Sequence, residues 1–232
     1  MRRAVVLLAA RDDVDRATLE AGVRDLAGIC ATRVGADAVT RAGVRLADDP
    51  LEAMLGARDA PGHVDAVIET SLPPSTAPDR FADALHGFGA ELEQVAAPGS
   101  IAIMTGAAYL VWPDDGRLVL ALAARRDPGI SVDELRHWWI GRHAALVQEL
   151  VRPRARGYDQ LHVDRDLSRA LCEVAGVDYT PYDMFDSIDV DSVADLTEST
   201  LMQPDTARRL YEDELGHVDH GSLRGALCAV VT

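Results

Sequence analysis

A histidine on a predicted helix in the second half of the chain is the first candidate for acid–base chemistry. Helical spacing over residues 131–150 places Trp138, Trp139 and His143 on one side and His137 on the opposite side. An imidazole with an unperturbed pKa of about 6.5 can take up or release a proton near neutral pH. The pattern therefore predicts a proton shuttle at His143 beside two indole rings. The alternative is a buried neutral histidine held by a backbone carbonyl.

The strand that follows this helix carries a row of polar side chains. Within the strand predicted at residues 157–163, Tyr158, Gln160 and His162 share one face, because side chains alternate along a strand. Buried polar atoms need partners, so the row indicates a lined cavity rather than a dry core. Exposure on a barrel rim is the alternative. We expect Tyr158 and His162 to act with His143.

A third group mixes aromatic rings with carboxylates around the start of the next predicted strand. Tyr182 and Phe185 can stack on a planar substrate, and Asp183 can orient an imidazole. A solvated strand edge is an equally good interpretation. The predicted catalytic residues are His143, His162, Tyr158 and Asp183, and the predicted substrate-binding residues are Trp138, Trp139, Arg142, Gln160, Tyr182 and Phe185.

The elements that must position these groups fall into two similar halves. Pro113-Asp114-Asp115-Gly116 is the clearest turn near the middle, and it divides the chain into residues 1–113 and 114–232. The predicted strands are residues 4–10, 33–46, 64–72, 101–112, 118–124, 157–163, 184–190 and 226–231, and the predicted helices are residues 15–31, 78–92, 131–150, 166–175 and 193–215, with a helical turn at 51–55. Each half is interpreted as βαββαβ. This order predicts an α+β fold, in which two tandem ferredoxin-like halves pack sheet to sheet as an α+β barrel.

Composition argues against several classes of function. The chain has 232 residues, a formal net charge of -15 and a pI near 4.7, so its field repels nucleic acid and anionic membrane surfaces. All its basic residues are arginine, which excludes a lysine Schiff base. His217 and His220 with Asp219 between them are too few to predict a metal site. The three cysteines lie far apart in apolar surroundings, which favours reduced thiols and a cytoplasmic location.

Several motifs of the second half occur in an order known from one family. They are Arg125-Arg126-Asp127-Pro128-Gly129-Ile130-Ser131-Val132-Asp133-Glu134-Leu135, Trp138-Trp139, His143-Ala144-Ala145-Leu146-Val147, Tyr158-Asp159-Gln160-Leu161-His162-Val163, Asp213-Glu214 and Asp219. This order resembles the EthD family of dimeric α/β-barrel proteins over about residues 117–232. The resemblance implies chemistry without a cofactor on small, aromatic or polyketide-like molecules. The first half has no Trp or His within residues 15–31, so we expect it to be a degenerate, structural mate of the second half.

Two classes of function fit these observations. The first is a lyase or isomerase (cyclase, dehydratase, decarboxylase or isomerase) of secondary metabolism or catabolism, which moves a proton on a small apolar or aromatic substrate without a cofactor or metal. The second is a non-catalytic small-molecule-binding protein, or a barrel that takes haem through His143 or His162. In both cases we expect the main pocket to lie in the second half and to include His143. A homodimer is compatible with either class.

Overall fold

Eight antiparallel strands form a closed barrel in the computed structural model of the chain, which describes residues 1–52, 63–75, 79–198 and 203–232. The strands are β1 (Arg2–Leu8), β2 (Val39–Arg45), β3 (Ala66–Leu72), β4 (Ala102–Trp112), β5 (Leu118–Arg126), β6 (Gly157–Val163), β7 (Met184–Val190) and β8 (Val218–Val230). Around the barrel their order is β1-β3-β2-β8-β5-β7-β6-β4. Hydrogen bonds between β2 and β8, and between β4 and β6, join the two halves. The predicted α+β barrel is confirmed.

Helices cover the outside of this barrel. They are α1 (Arg16–Val34), α2 (Asp79–Leu85), α3 (Gly89–Leu92), α4 (Val132–Trp138), α5 (Ala144–Val151), α6 (Arg165–Ala175), α7 (Val193–Thr197) and α8 (Pro204–Glu214), with a π-helical segment, Trp139–His143, between α4 and α5. None of these helices is long and apolar enough to cross a membrane. The turn predicted at residues 51–55 lies largely outside the described residues.

The structure corrects three predicted boundaries. The helix predicted at residues 78–92 is divided into α2 and α3, because Gly87 between them has a φ of 69°, in the left-handed region. The strand predicted at residues 33–46 is shortened at its start, because α1 continues into it. The terminal strand predicted at residues 226–231 begins earlier, since Val218 and Asp219 already pair with β5.

Strand β1 is buried on both faces, which explains its continuous apolar run. Along β1, Val5 and Leu7 point into the barrel lumen, whereas Val6 and Leu8 point outward against helices. Neither face of such a strand is exposed to water, so it lacks the alternation of a half-exposed strand. The alternation of side chains then decides which groups enter the lumen and which face the helices.

One end of the lumen is polar and closed by ion pairs. Arg3 binds Glu69 at 2.9 Å and Asp159 at 2.7 Å, and Arg41 binds Glu69 at 2.9 Å and Asp189 at 2.7 Å. Burial raises the pKa of Asp159 and Asp189, although the charges of Arg3 and Arg41 oppose the shift. The network ties β1, β2, β3, β6 and β7 together across the barrel.

Candidate active site

The outer face of β6 carries the polar row predicted from the sequence. Tyr158, Gln160 and His162 lie on this face and are buried beneath the helices of the second half. The Gln160 amide donates hydrogen bonds to the Tyr158 hydroxyl oxygen at 2.9 Å and to the Trp139 carbonyl oxygen at 3.0 Å. The row is therefore enclosed between the sheet and the helical layer, and the alternative of an exposed barrel rim does not apply.

A π-helical segment brings the rings above this row together. The preceding helix, α4, begins with a capping box in which Ser131 and Glu134 satisfy each other's backbone N–H groups. His143 follows Trp138 by five residues, so on a regular α-helix the two side chains would point about 140° apart around the helix axis. With the π-helical segment between them, their ring centroids lie 4.7 Å apart. π-Helical segments are rare in proteins, and those that occur are often found at functional sites.

His143 is paired with a carboxylate from α8. Its Nδ1 lies 3.0 Å from Oδ2 of Asp213, and Nε of Arg142 lies 2.6 Å from Oδ1 of the same carboxylate. Burial favours the neutral carboxyl, but the hydrogen bond and charge of His143 and the charge of Arg142 outweigh it and hold the pKa of Asp213 below its ordinary value. An ionised carboxylate can only accept, so Nδ1 of His143 carries the proton. In the uncharged form of the ring, Nε2 has a lone pair and can act as a base.

A second carboxyl group reaches the same region from β7. Asp186 lies on the outer face between Met184 and Ile188, is half-buried, and has an Oδ1 that is shielded from solvent without a hydrogen-bond partner. Burial raises its pKa to about 7, against the opposing effects of the His143 charge and the Tyr158 hydroxyl. Near neutral pH this group is therefore present both as an acid and as a base.

His162 is a neutral imidazole at the other end of the row. Its ring centroid lies 4.6 Å from that of Trp139, and its Nε2 is buried with no hydrogen-bond partner. Burial lowers the pKa of His162 to about 4, and the charge of Arg136 contributes to the shift. His162 is thus uncharged at neutral pH, and its Nε2 can donate or accept one hydrogen bond, depending on the tautomer.

These groups form what we call the polar layer, defined as His143, Tyr158, Gln160, His162, Asp186 and Asp213. Besides Oδ1 of Asp213, which lies 2.6 Å from Nε of Arg142, three buried atoms of the layer lack a hydrogen-bond partner: Oε1 of Gln160, Nε2 of His162 and Oδ1 of Asp186. Nε1 of Trp139, directly above, is unpaired as well. An unpaired buried polar atom costs about 1–3 kcal/mol, so native proteins contain few of them. Their occurrence side by side in one layer makes this layer the candidate ligand site.

Other predicted site residues lie elsewhere. Phe185 and Tyr182 pack in the lumen cluster. Phe185 lies on the opposite side of the sheet from Asp186, because neighbouring residues of β7 alternate in direction. Asp183 accepts hydrogen bonds from the Arg126 backbone at 2.9 Å and from the Arg165 guanidinium at 2.6 Å. Its carboxylate therefore serves an ion-pair cluster at the end of β7.

The structure thus divides the predicted site residues into two sets. It brings together Trp138, Trp139, Arg142, His143, Tyr158, Gln160 and His162, and it separates Tyr182, Asp183 and Phe185 from them. Asp213 belongs to one of the matched motifs and Asp186 directly follows the predicted Phe185, but neither was predicted as a site residue. Alternation along β7 could have placed Asp186 with Met184 and Ile188, whereas the pairing of Asp213 with His143 depends on how α8 packs.

Three clefts adjoin different parts of the molecule. One of about 320 Å³ lies between α1 and β2, and one of about 380 Å³ lies at the Arg3 end of the lumen. The third, of about 430 Å³, lies beside α5 and α8 and is lined by Arg142 and Asp213 among others. The His143 side chain lines none of the three. Asp213 connects the third cleft to the imidazole, which is itself packed into the polar layer.

Within the described residues, no group of three His, Cys, Asp or Glu side chains is arranged to hold a metal ion. His217 instead stacks on Trp138 with ring centroids 4.3 Å apart, and His220 contacts Glu214 at 2.8 Å.

Comparison with solved structures identifies the fold. An anthrone oxidase-like protein matches with a TM-score of 0.60 and 12% identity over 100% of this chain and 91% of its own. A protein of Lactobacillus acidophilus NCFM that is provisionally named a monooxygenase matches with a TM-score of 0.53 and 11% identity, over 100% of this chain and 94% of its own. A mutant chlorite dismutase from Candidatus Nitrospira defluvii matches with a TM-score of 0.53 and 8% identity, over 99% of this chain and 91% of its own.

At such low identity, these matches show likeness of fold alone. No family model matches the chain. No curated protein matches it either.

Proposed function

We propose that the chain is an EthD-like enzyme that moves a proton on a small aromatic or polyketide-like substrate, without a cofactor, inside the polar layer. The observation that carries the proposal is the pairing of His143 with ionised Asp213 in a layer whose buried polar atoms lack partners. A base held in one tautomer beside unpaired hydrogen-bonding groups is suited to proton abstraction next to a carbonyl group. The reaction class is a lyase or an isomerase.

The proposed step begins at Nε2 of His143. This atom takes a proton from the substrate carbon, the electron pair moves to the carbonyl oxygen, and Asp213 stabilises the resulting imidazolium as a positioning residue. Because the Tyr158 hydroxyl oxygen accepts from Gln160, its own proton can be donated to Asp186 or, in the complex, to the substrate oxygen, and the protonated fraction of Asp186 is a second donor. Returning the proton to another atom of the substrate completes an isomerisation. Expelling a leaving group from the adjacent carbon completes an elimination.

We infer further that each half is a ferredoxin-like unit. The strand orders β4-β1-β3-β2 and β8-β5-β7-β6 are the same when each half is numbered from its own first strand, which supports the division at residues 113 and 114. The two sheets are joined through hydrogen bonds at their edges. A homodimer of such barrels is part of the proposal.

The haem alternative finds less support in the packing. The indole of Trp138 lies against the His143 ring and that of Trp139 against the His162 ring, with centroids 4.7 Å and 4.6 Å apart. Neither imidazole lines one of the three clefts described above. The residues as packed therefore do not fit a macrocycle at either histidine. A Soret band on the purified protein would contradict this conclusion.

Hydrogen–deuterium exchange tests the proposal. Anthrone is a planar ketone with an acidic methylene group, and one matched structure is named anthrone oxidase-like. We expect the protein to accelerate exchange of the methylene protons of anthrone or of 2-tetralone in D2O without oxygen, measured by NMR. His143→Ala should reduce the acceleration by about 10²- to 10⁴-fold.

His137→Ala is the matched control, because it removes the same group from the opposite side of the same helix, where the side chain is exposed. Its exchange rate should equal that of the wild type. The proposal is refuted if, with both ketones, the wild-type protein exchanges the methylene protons no faster than buffer alone. It is also refuted if a folded His143→Ala variant keeps full activity.

A further inference from the structure

The outer face of β4 is uncovered next to the polar layer. Tyr109 is 44% exposed, and Ala107, two residues earlier on the same face, is exposed as well. The helix α6 covers only the preceding part of β4, where the Ser168 hydroxyl accepts a hydrogen bond from the Thr105 backbone at 3.0 Å. Beyond this contact the strand continues with its outer face open to solvent.

The strand register places this open face beside the unpaired groups of the layer. Tyr109 is directly opposite Gln160 on β6, and Ala107 is directly opposite His162. Directly opposed residues of antiparallel strands have Cβ atoms about 4.5–5.5 Å apart and project to the same side. The register therefore places the exposed Tyr109 side chain next to buried Gln160, and the small Ala107 side chain next to buried His162.

The second junction between the halves has no such opening. There the segment that follows β2 runs along β8: the Leu46 backbone donates to the Leu227 carbonyl at 2.9 Å, and the Asp49 carboxylate accepts from the Leu227 backbone at 3.2 Å. Leu227 and Leu51 are consequently buried in one cluster. The two junctions are made by corresponding strands, so the open face of β4 is particular to the junction beside the polar layer.

We infer that Ala107 and Tyr109 form the entry platform of the polar layer, where the planar ring of the substrate stacks on Tyr109 before its polar end reaches His162 and Gln160. The inference rests on the proposed function for the identity of the layer as the substrate site. It assigns ring recognition to a residue outside the layer. A phenol ring offers a planar apolar face for such stacking, and the unpaired atoms of Gln160 and His162 supply the hydrogen bonds for a substrate oxygen or N–H group.

Binding of acridone, a fluorescent planar ketone, tests the platform independently of catalysis. We expect Tyr109→Ala to raise the Kd of acridone about two- to tenfold in a fluorescence titration, and Tyr109→Phe to retain wild-type affinity because it keeps the ring. Tyr211→Ala is the control, because Tyr211 is comparably exposed on α8. Absence of acridone binding to the wild type, equal affinity of Tyr109→Ala and wild type, or an equal loss in Tyr211→Ala would overturn the inference.

A steric variant completes the test. Ala107→Leu fills the space beside His162 from the solvent side, and Ala90→Leu adds the same atoms at an exposed position on α3. Only the former should weaken acridone binding. In the ketone exchange assay, Tyr109→Ala should raise the substrate concentration at half-maximal rate and leave the maximal rate unchanged. If acridone binding depends on Tyr109 but the wild-type protein does not accelerate ketone exchange, the platform is supported and only the proton-transfer function is refuted.

Discussion

The helical layers of the two halves occupy corresponding positions on the barrel but differ in polarity. In the first half, Leu19 and Val23 of α1 and the neighbouring Phe88 pack on outward residues of β1 and β3 in an apolar cluster. In the second half, the corresponding space contains the polar layer around His143 and Gln160. One layer maximises buried apolar area, whereas the other leaves polar atoms unpaired at a cost in stability. Proteins accept such a cost mainly at functional sites, so the difference indicates which half binds the ligand.

Removing a core ring from the apolar layer should have the largest effect on stability. Phe88 is fully buried, and Phe88→Ala is expected to lower the free energy of unfolding by about 3–5 kcal/mol through lost burial and the cavity left behind. Chemical denaturation measures this loss. The ketone exchange rate per folded molecule should stay at the wild-type value, since the layer of the second half is untouched. A reduced rate in the folded fraction would show that the two layers are coupled.

The polar layer should respond to pH in a way that the apolar layer does not. Below about pH 4 the Asp186 carboxyl is protonated in both the folded and the unfolded chain. Between about pH 4 and pH 7 it ionises in the unfolded chain first, because its folded-state pKa is raised to about 7. Asp186 therefore destabilises the fold progressively as pH rises through this window, by up to about 4 kcal/mol above pH 7.

Asp186→Asn should remove this pH dependence of stability. The free energy of unfolding of the variant, relative to that of the wild type, should therefore increase from pH 4 to pH 7 and stay constant above pH 7. Urea denaturation at several pH values measures the difference. Asp191→Asn, at an exposed position one residue after β7, should show no such trend. If the difference in free energy of unfolding between Asp186→Asn and the wild type does not change from pH 4 to pH 7, the pKa of Asp186 is not raised in the folded protein.

The sequence predicts the barrel better than it predicts the site. The apolar runs and turns identify all eight strands, because burial on both faces produces a local signal that needs no partner. The alternation of Tyr158, Gln160 and His162 is local in the same way. In contrast, the separation of Phe185 from Tyr158 depends on which face of β7 enters the lumen, and this follows only from closure of the barrel.

The π-helical segment is a second feature that the sequence conceals. On a regular α-helix Trp138 and His143 would point about 140° apart, so the ring contact between them requires the local change in helix geometry. Likewise, the Asp213 carboxylate reaches His143 across 70 positions of sequence. Long-range packing of α8 decides this pairing, so no pattern within either segment could reveal it.

Asp183 provides a smaller test of the separation between the polar layer and its surroundings. Its carboxylate is buried and accepts charge-assisted hydrogen bonds from Arg165 and from the Arg126 backbone. Asp183→Asn should therefore lower the free energy of unfolding by about 1.5–3 kcal/mol, measured by denaturation, and leave the exchange rate of the folded protein unchanged. Asp178→Asn, at an exposed position, is the control. A large loss of rate at wild-type stability would return Asp183 to the catalytic set.

The smallest expected effects come from the caps of the two corresponding helices, α1 and α4. The Asp15 carboxylate accepts from the Thr18 backbone at 2.8 Å, and the Ser131 hydroxyl accepts from the Glu134 backbone at 3.2 Å. Loss of either cap leaves a backbone N–H group of the first helical turn without its partner. Asp15→Ala and Ser131→Ala should each lower Tm by about 2–4 °C in a thermal scan.

The two cap variants should nevertheless differ in activity. α4 leads directly into Trp138 and the π-helical segment that carries His143, so fraying of its first turn loosens the rings above the polar layer. We therefore expect Ser131→Ala to reduce the ketone exchange rate a few-fold, because small displacements of a catalytic group have large effects on rate. Asp15→Ala should retain the wild-type rate, since α1 covers only the apolar layer of the first half. If Ser131→Ala and Asp15→Ala lose the same Tm and have the same ketone exchange rate, the helical layer of the second half does not position His143 through α4.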